Sequence, residues 1–232
     1  MMQLPTARDR RTSVEQIFDY LYEEIHSLRL KPGDKISEAD IAAQFGVSRQ
    51  PVRDAFSRLE NLDLLVIRPQ RATEVKRFSA REIEKSRFVR AAVEAEVLRR
   101  AVKCCDAASA ALLDACLAEQ RTVAQSGDYR NFSRLDYEFH EALCRVAGVA
   151  FAFEVISAEK SKVDRLCILS LRQGERMPQL IADHEEIVRA IKAGDAEAAV
   201  AAGMLHLSRL DATIEGITAD SAHYFEPDPA SA

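Results

Sequence analysis

Residues 37–61 of the chain read SEADIAAQFGVSRQPVRDAFSRLEN, and this stretch decides the fold of the first third of the protein. Ser37 is a residue type that caps the start of a helix, and Gly46 is the type that ends one in the left-handed conformation. A second helix is predicted from Ser48, with Pro51 in its first turn, where the missing N–H costs little. The stretch therefore predicts a helix-turn-helix motif.

Two short apolar segments follow this motif. Residues 65–67 and 73–75 have strand-like patterns and are separated by Pro69-Gln70-Arg71, which is a turn signal. They predict a β-hairpin, a wing beside the helices, with Arg68 and Arg71 as candidate DNA contacts. Upstream, a further helix is predicted from Ser13, which has a capping-box partner in Gln16.

The second helix of the motif carries polar side chains that suit a DNA groove. Arg49 and Arg53 are four residues apart and therefore share one helix face. Guanidinium groups at the start of a helix can reach guanine edges or phosphates, and Ser48 and Gln50 lie beside them. The alternative is a solvated helix face, which is the commoner fate of surface arginines. The order of helix, glycine turn, helix and wing favours DNA binding.

The charge of the chain is distributed unevenly. The full chain has a net charge of −5, yet residues 1–77 hold 13 Lys and Arg against 12 Asp and Glu. Residues 48–77 include seven basic side chains and four acidic ones. A small basic face is enough to contact phosphates, and the acidic remainder disfavours indiscriminate binding to nucleic acid.

The composition is that of a globular protein, since 47% of the 232 residues are hydrophobic and 30% are charged. The five cysteines are odd in number and show no CxxC spacing, which favours a reducing compartment over a disulfide framework. No apolar run approaches the roughly 18 to 20 residues that span a bilayer, and the N-terminus lacks the apolar stretch of a secretory signal. We therefore expect a cytoplasmic protein with no membrane partner.

From Ser79 onward the sequence has only helical patterns. They cover about residues 80–104, 107–125, 128–147, 149–172, 179–193 and 195–219. Six helices with short connections predict an antiparallel bundle. We expect a mainly α protein with three parts: a winged helix-turn-helix domain over residues 1–77, an all-helical domain over residues 78–223 and a flexible tail over residues 224–232.

Three of the predicted bundle helices each direct a histidine to an apolar stripe. Asp136 and His140 share one stripe, one turn apart, while His184 and His206 each lie on another. A buried Asp must find a partner or lose its charge. One carboxylate and three neutral imidazoles make a ligand set for a divalent metal ion, with Zn favoured over Ni, Mn or Fe. The alternative for any single histidine is a core residue with its own hydrogen-bond partner.

The chain has no recognisable catalytic constellation. Residues 140–144 read HEALC, with Cys where a zincin motif has its second His, and neither a Gly-rich phosphate loop nor a nucleophile elbow occurs. We therefore do not expect an enzyme. Arg90 and Glu94, one turn apart, form either an ordinary surface ion pair or a site in which Arg90 clamps an anionic effector.

These residues resemble a GntR-family transcriptional regulator of the FadR type, in which a winged helix-turn-helix precedes an all-helical ligand domain called FCD. The similarity covers about residues 13–215 and is carried by Leu30-Lys31-Pro32-Gly33, Phe45-Gly46-Val47-Ser48-Arg49, Pro51-Val52-Arg53-Asp54-Ala55, Asp136, Phe139-His140, His184 and His206-Leu207. Six bundle helices look more like the VanR branch than the seven-helix FadR branch. One departure is Asp63, which replaces the glycine that usually ends the recognition helix.

The resemblance implies a homodimer that binds operator DNA through the winged domain and dimerises and binds its effector through the helical domain. The implied effector is a small organic or sugar acid that enters the bundle beside a metal held by the four residues named above. The expected function is a repressor or activator of transcription. Two rivals stay open: a metal-dependent enzyme with an accessory winged helix, and a metal sensor in which the ion itself is the signal.

Overall fold

A computed structural model describes residues 12–171 and 176–227 of the chain. The described residues divide into two compact units, one within residues 12–79 and 221–227 and one within residues 80–220. The boundary after residue 79 lies two residues beyond the predicted one. Over the described ranges the protein is mainly α, as predicted, with one small sheet.

The first helix of the N-terminal unit is α1 (Ser13–His26). The Thr12 hydroxyl accepts a hydrogen bond from the Glu15 backbone N–H, and the Glu15 carboxylate accepts one from the Thr12 N–H. The capping box is therefore present, but the predicted pair of Ser13 and Gln16 was wrong by one residue. Both pairs have the required spacing, and the pair with the acidic residue is favoured by the positive end of the helix dipole.

The helix-turn-helix consists of α2 (Glu38–Phe45) and α3 (Arg49–Asn61). The Ser37 hydroxyl accepts from the Asp40 N–H, and Gly46 ends α2 in the left-handed region with φ of 65°. On α3, a buried apolar stripe packs against α1 and α2 and comprises Val52, Ala55, Phe56 and Leu59. This packing leaves the opposite face of α3 to solvent.

Three short strands complete this unit: β1 (Lys35–Ile36), β2 (Leu65–Val66) and β3 (Thr73–Val75). They form an antiparallel sheet in the order β1-β3-β2. The predicted wing is the β2–β3 pair, whereas β1 was not predicted because a two-residue strand has no periodic signal. Asp63, at the family's glycine position, adopts a left-handed φ of 61°. Aspartate tolerates this conformation better than most residues.

The segment after the second unit returns to the first. A 3-10 turn at Ala222–Tyr224 leads to Phe225, which forms a parallel bridge with Phe78. The Phe78 N–H donates to the Tyr224 carbonyl oxygen and the Glu226 N–H donates to the Phe78 carbonyl oxygen, each at 2.8 Å. Residues 224–226 belong to the predicted flexible tail, but in the structure they form these contacts with Phe78. Residues 228–232 lie outside the described residues.

The second unit is entirely helical over the described residues. Its helices are α4 (Ala80–Cys104), α5 (Ala107–Ser126), α6 (Tyr129–Val146), α7 (Ala152–Ser161), α8 (Asp164–Leu171), α9 (Arg176–Lys192), α10 (Ala196–Ser208) and α11 (Asp211–Asp220). Two of the six predicted helices are broken, at residues 162–163 and 209–210. Neither break holds a Gly or Pro, so the sequence has no signal for it. Helix α9 begins before its predicted start because Pro178 fits in its first turn.

Helix α10, which carries His206, packs closely against α4. A Cβ atom on Gly203 would lie 2.4 Å from Leu98 Cδ1, so only glycine permits this approach without a shift of the leucine. Helix α9 packs on both α5 and α10, and α6 packs on α5 and α4. The histidine-bearing helices α6, α9 and α10 thus surround one core. Among the described helices, none has both the length and the apolar character to cross a membrane.

Candidate metal centre and candidate nucleic-acid interface

The structure brings together the four side chains that the sequence singled out as metal ligands. Asp136 and His140 from α6, His184 from α9 and His206 from α10 are all buried, and one potential ligand atom of each lies within 4.8 Å of the others. Four residues from three helices therefore converge on one point in the core of the helical unit.

The tautomer of His184 is fixed by Gln120, which is fully buried on α5. The Gln120 Nε2 donates to the Leu135 carbonyl oxygen at 3.3 Å, so its Oε1 faces His184 Nδ1, 2.8 Å away. Because an amide oxygen only accepts hydrogen bonds, Nδ1 carries the proton and Nε2 presents a lone pair. Burial lowers the pKa of His184 and favours this neutral form.

His140 is oriented in the same way by a carboxylate. Its Nδ1 lies 3.0 Å from Glu94 Oε2, and Glu94 also accepts from Arg90 Nε at 2.8 Å. Burial alone would raise the pKa of Glu94, but Arg90 and His140 bring it below its usual value, so the group is a carboxylate. Because a carboxylate only accepts hydrogen bonds, the ring proton lies on Nδ1, and in this tautomer Nε2 also presents a lone pair.

Asp136 is held by a buried lysine from α7. Lys160 Nζ lies 3.1 Å from Asp136 Oδ2 and 3.4 Å from Asp164 Oδ1, above the ring of Tyr137 at 3.8 Å. Burial would raise the pKa of Asp136, but the Lys160 ammonium holds it well below its usual value. The carboxylate is therefore ionised, and its second oxygen, Oδ1, is turned away from the lysine's contact.

Each of the four residues contributes one unpaired polar atom to the centre. Asp136 Oδ1, His140 Nε2, His184 Nε2 and His206 Nδ1 are all buried and have no hydrogen-bond partner in the part of the chain that the structure describes. Asp136 Oδ1 and His184 Nε2 lie 3.4 Å apart, although both are acceptors in the protonation states argued above. Buried acceptors left unpaired cost about 1–3 kcal/mol each. Since a divalent cation would satisfy all four at once, these residues fit a metal ion.

Three residues that orient the cluster were not predicted for that role. Gln120 and Lys160 were absent from the predicted site, and Glu94 was considered only as a partner of Arg90. The side chains of Gln120 and Lys160 come from helices that carry none of the candidate ligands, so no spacing within the sequence relates them to the histidines.

A cavity of about 60 Å³ lies beside the cluster and is lined by Asp136, His206, Arg87, Arg90, Lys160 and Arg176 among others. Arg90 is only 7% exposed and Glu94 only 6%, so the alternative of an ordinary surface ion pair was wrong. The pair exists, but it is buried. Arg90 lines the cavity, as the effector-clamp alternative requires.

The N-terminal unit presents the predicted DNA-contacting side chains to solvent. Ser48, Arg49, Gln50 and Arg53 are all exposed at the start of α3. Arg53 Nε donates to Glu38 at 2.9 Å, and Gln50 Nε2 donates to Asp54 at 2.9 Å. Exposed pairs of this kind contribute about 0–1 kcal/mol, so a nucleic acid could replace them at little cost.

The wing adds further cations. Arg68 and Arg71 are exposed between β2 and β3, where Gln70 adopts a left-handed φ of 58°. Together with Lys35 and Glu74 they line a shallow surface groove. Three basic groups and one acidic group give this face a positive balance, which suits contact with phosphates.

Family comparisons agree with this two-part organisation. The family described as bacterial regulatory proteins, gntR family, matches residues 13–75, and the FCD domain matches residues 87–209. The HTH-type transcriptional repressor RspR of Escherichia coli (strain K12) is 30% identical over 211 residues, covering 91% of this chain and 92% of RspR. A probable D-xylose utilization operon transcriptional repressor of Paenarthrobacter nicotinovorans is 30% identical over 82% of this chain and 83% of its own.

Solved structures show the same fold. Escherichia coli McbR/YncC matches with a TM-score of 0.61 at 20% identity, over 89% of this chain and 98% of that one. The structure of a transcriptional regulator GntR from Rhodococcus sp. RHA1 matches with a TM-score of 0.57 at 25% identity, over 91% of this chain and 99% of that one. At 20% identity, the likeness to McbR/YncC concerns the fold alone.

Proposed function

Since the chain belongs to the gntR family of bacterial regulatory proteins and carries an FCD domain, it is a DNA-binding transcriptional regulator, and we propose that a small carboxylate bound beside a divalent metal ion controls its operator binding. The proposed effector is an organic or sugar acid. On this proposal the protein acts as a homodimer and does not turn the acid over.

The observation that carries the metal part of the proposal is the group of four buried, unpaired polar atoms, one from each candidate ligand. Asp136, His140, His184 and His206 would hold the ion, with Zn favoured over Ni, Mn or Fe. When bound, the ion supplies a fixed positive charge with positions open to oxygen ligands. Gln120 and Glu94 keep two imidazoles in the tautomer that ligation requires, and Lys160 holds the carboxylate.

The cavity beside this centre supports an anionic effector. Asp136 and His206 form part of its wall, so a ligand in the cavity has access to the cluster. Arg90, Lys160 and Arg176 contribute positive charge to the same wall. We assign Arg90 as an effector contact, with its Nε engaged by Glu94 and its guanidinium positioned by that bond.

The DNA-binding part of the proposal assigns contacts to six exposed side chains. Arg49, Gln50 and Arg53, at the start of α3, would reach base edges, while Ser48, Arg68 and Arg71 would contact phosphates. A symmetric dimer would place two such surfaces on two operator half-sites. The order of α2, the Gly46 turn, α3 and the wing supports this assignment.

A ligand screen tests the proposal. Organic and sugar acids are added to wild-type protein and to His184→Ala, each prepared with Zn and after chelator treatment, and thermal unfolding is followed. The proposal predicts that an effector raises the melting temperature of metal-loaded wild type and has little effect on His184→Ala. An acid that stabilises both proteins equally, with or without metal, would refute the metal-linked site.

Measurements of operator affinity and of product formation, made beside the screen, separate the rival functions. A metal sensor would change operator affinity on metal binding alone, without any acid. A metal-dependent enzyme would convert a bound acid to product, which chromatography of the incubated mixture would reveal. The proposed function requires two results. The protein retains stoichiometric metal through dialysis without chelator, and the acid alters operator binding without being converted.

A further inference from the structure

Two side chains that line the cavity, outside the metal cluster, each have a buried polar atom that is unpaired among the described residues. Ser170 Oγ, on α8, and Arg176 Nε, on α9, are both buried and have no hydrogen-bond partner within residues 12–171 and 176–227. Both residues line the cavity that also contains Asp136 and His206. Unpaired buried groups of this kind are costly and call for an explanation.

Arg176 differs from the other cations of the cavity wall in its partners. Arg90 pairs with Glu94 at 2.8 Å, Lys160 pairs with Asp136 at 3.1 Å, and Arg87 pairs with Asp211 at 2.6 Å. By contrast, the hydrogen bond of Arg176 runs from its Nη1 to the amide oxygen of Gln179 at 2.7 Å.

Over residues 12–171 and 176–227, no carboxylate forms an ion pair with Arg176. The nearby acid Asp183 is engaged by Arg209 at 3.0 Å. Burial lowers the pKa of Arg176, as expected for a guanidinium that is withdrawn from water without a close counter-ion. An arginine nevertheless stays charged, so none of the described carboxylates balances its charge by a direct contact.

We propose that Arg176 and Ser170 form a second oxyanion site, and that the effector is therefore a dicarboxylate. This inference rests on the proposed function, because one carboxylate of the ligand is assigned to the metal side of the cavity, at Asp136 and His206. The other accepts hydrogen bonds from Arg176 Nε and Ser170 Oγ. An N–H and an O–H donor can serve the two oxygens of one carboxylate.

Charge balance favours a dianion over a monoanion. A divalent ion held by one carboxylate and three neutral imidazoles leaves a net charge near +1 at the first end of the cavity. Arg176 adds a second positive centre, whereas Arg87, Arg90 and Lys160 are compensated by Asp211, Glu94 and Asp164. A monocarboxylate would neutralise one centre and leave the other without a partner.

Calorimetric titration with matched acids tests the inference. Succinate, glutarate and adipate are compared with butyrate, valerate and hexanoate, in which a methyl group replaces the second carboxylate of each. The protein is the full chain loaded with Zn. The expected result is that one dicarboxylate binds at least about 10-fold more tightly than its monoacid, because a hydrogen bond to a charged group accounts for about 10- to 100-fold in affinity.

Variants locate the second site. Arg176→Gln and Ser170→Ala should weaken binding of the preferred dicarboxylate, by about 10- to 100-fold for the arginine. Both should change the affinity for the matched monoacid by less than about threefold. Arg87→Gln is the matched control, since it removes a cavity arginine whose charge is already balanced by Asp211, and it should keep the dicarboxylate preference.

The outcomes separate this inference from the proposed function. If wild type binds each monoacid as tightly as its dicarboxylate, in a metal-dependent way, the second oxyanion site is refuted and the metal-linked effector site stands. Equal losses for both acids in Arg176→Gln would also overturn it. If no acid binds to the metal-loaded protein, both proposals fail. The wild-type comparison needs no variant, so misfolding of a variant cannot protect the inference.

Discussion

Replacing Gln120 with leucine should weaken metal binding without touching any ligand. Gln120 is fully buried, and its Oε1 accepts a hydrogen bond from His184 Nδ1 at 2.8 Å. Leucine has a similar size but no acceptor, so the imidazole can exchange its proton between nitrogens, and ligation through Nε2 loses its preorganisation. Loss of such a supporting hydrogen bond costs about 10- to 100-fold in metal affinity.

The magnitude can be followed in the melting temperature. A 10- to 100-fold loss of affinity removes about 1.4–2.7 kcal/mol of metal-induced stabilisation at a fixed excess of metal. For a protein of this size that corresponds to about 3–11 °C. The unpaired Nδ1–H costs roughly another 1–3 kcal/mol in the metal-free protein, so the metal-free and the Zn-loaded protein must be measured separately.

Two further variants make the Gln120 experiment specific. Gln125→Leu, an exposed position on the same helix α5, controls for the change in residue type and should leave Zn affinity unchanged. Gln120→Glu keeps an acceptor opposite His184, as Glu94 does for His140, and should retain Zn affinity to within about 10-fold. If competition titration gives Gln120→Leu the same Zn affinity as Gln125→Leu, the orientation argument is refuted.

Three other predictions concern separate parts of the molecule. Arg53→Ala should reduce operator affinity by about 1–3 kcal/mol per half-site, measured by fluorescence anisotropy at fixed salt; unchanged binding with intact helicity would refute the assignment. Burial lowers the pKa of His184 and His206 in the folded protein. As the pH falls, these histidines therefore become protonated at a higher pH in the unfolded chain than in the folded one. Stability and metal affinity should be full above pH ~6.5 and fall below it. Metal titrations at pH 7.5 and 5.5 that give equal affinities would contradict this. Lys160→Met leaves Asp136 as an uncompensated buried charge and should destabilise the protein by about 3–5 kcal/mol in denaturant unfolding; a loss below 1 kcal/mol would contradict the buried ion pair.

Local signals in the sequence were sufficient for much of the fold. Ser37 and Gly46 define the limits of α2 through side-chain capping and a left-handed backbone, both of which depend on single residue types. The four-residue spacing of Asp136 and His140 places them on one helix face wherever that helix packs. Such features are properties of short segments and can be recognised without knowing the tertiary structure.

Other features depend on contacts between distant segments. Gln120 meets His184 across 64 residues, and Lys160 reaches Asp136 from a different helix, so neither could be inferred from spacing. The strand β1 exists only because β3 pairs with it. The breaks at residues 162–163 and 209–210 lack Gly and Pro, so helical periodicity continues across them in the sequence.

The most direct test of the central claim measures the coupling between effector and operator. Operator duplexes are selected from a random library with purified protein, and their affinity is determined with the effector acid, with and without prior removal of metal by a chelator. Binding of the acid should change operator affinity by about 5- to 150-fold, and operator DNA should change effector affinity by the same factor. Removing the metal should abolish the effect of the acid. If the acid changes operator affinity equally in metal-free protein and in His184→Ala, the account is wrong.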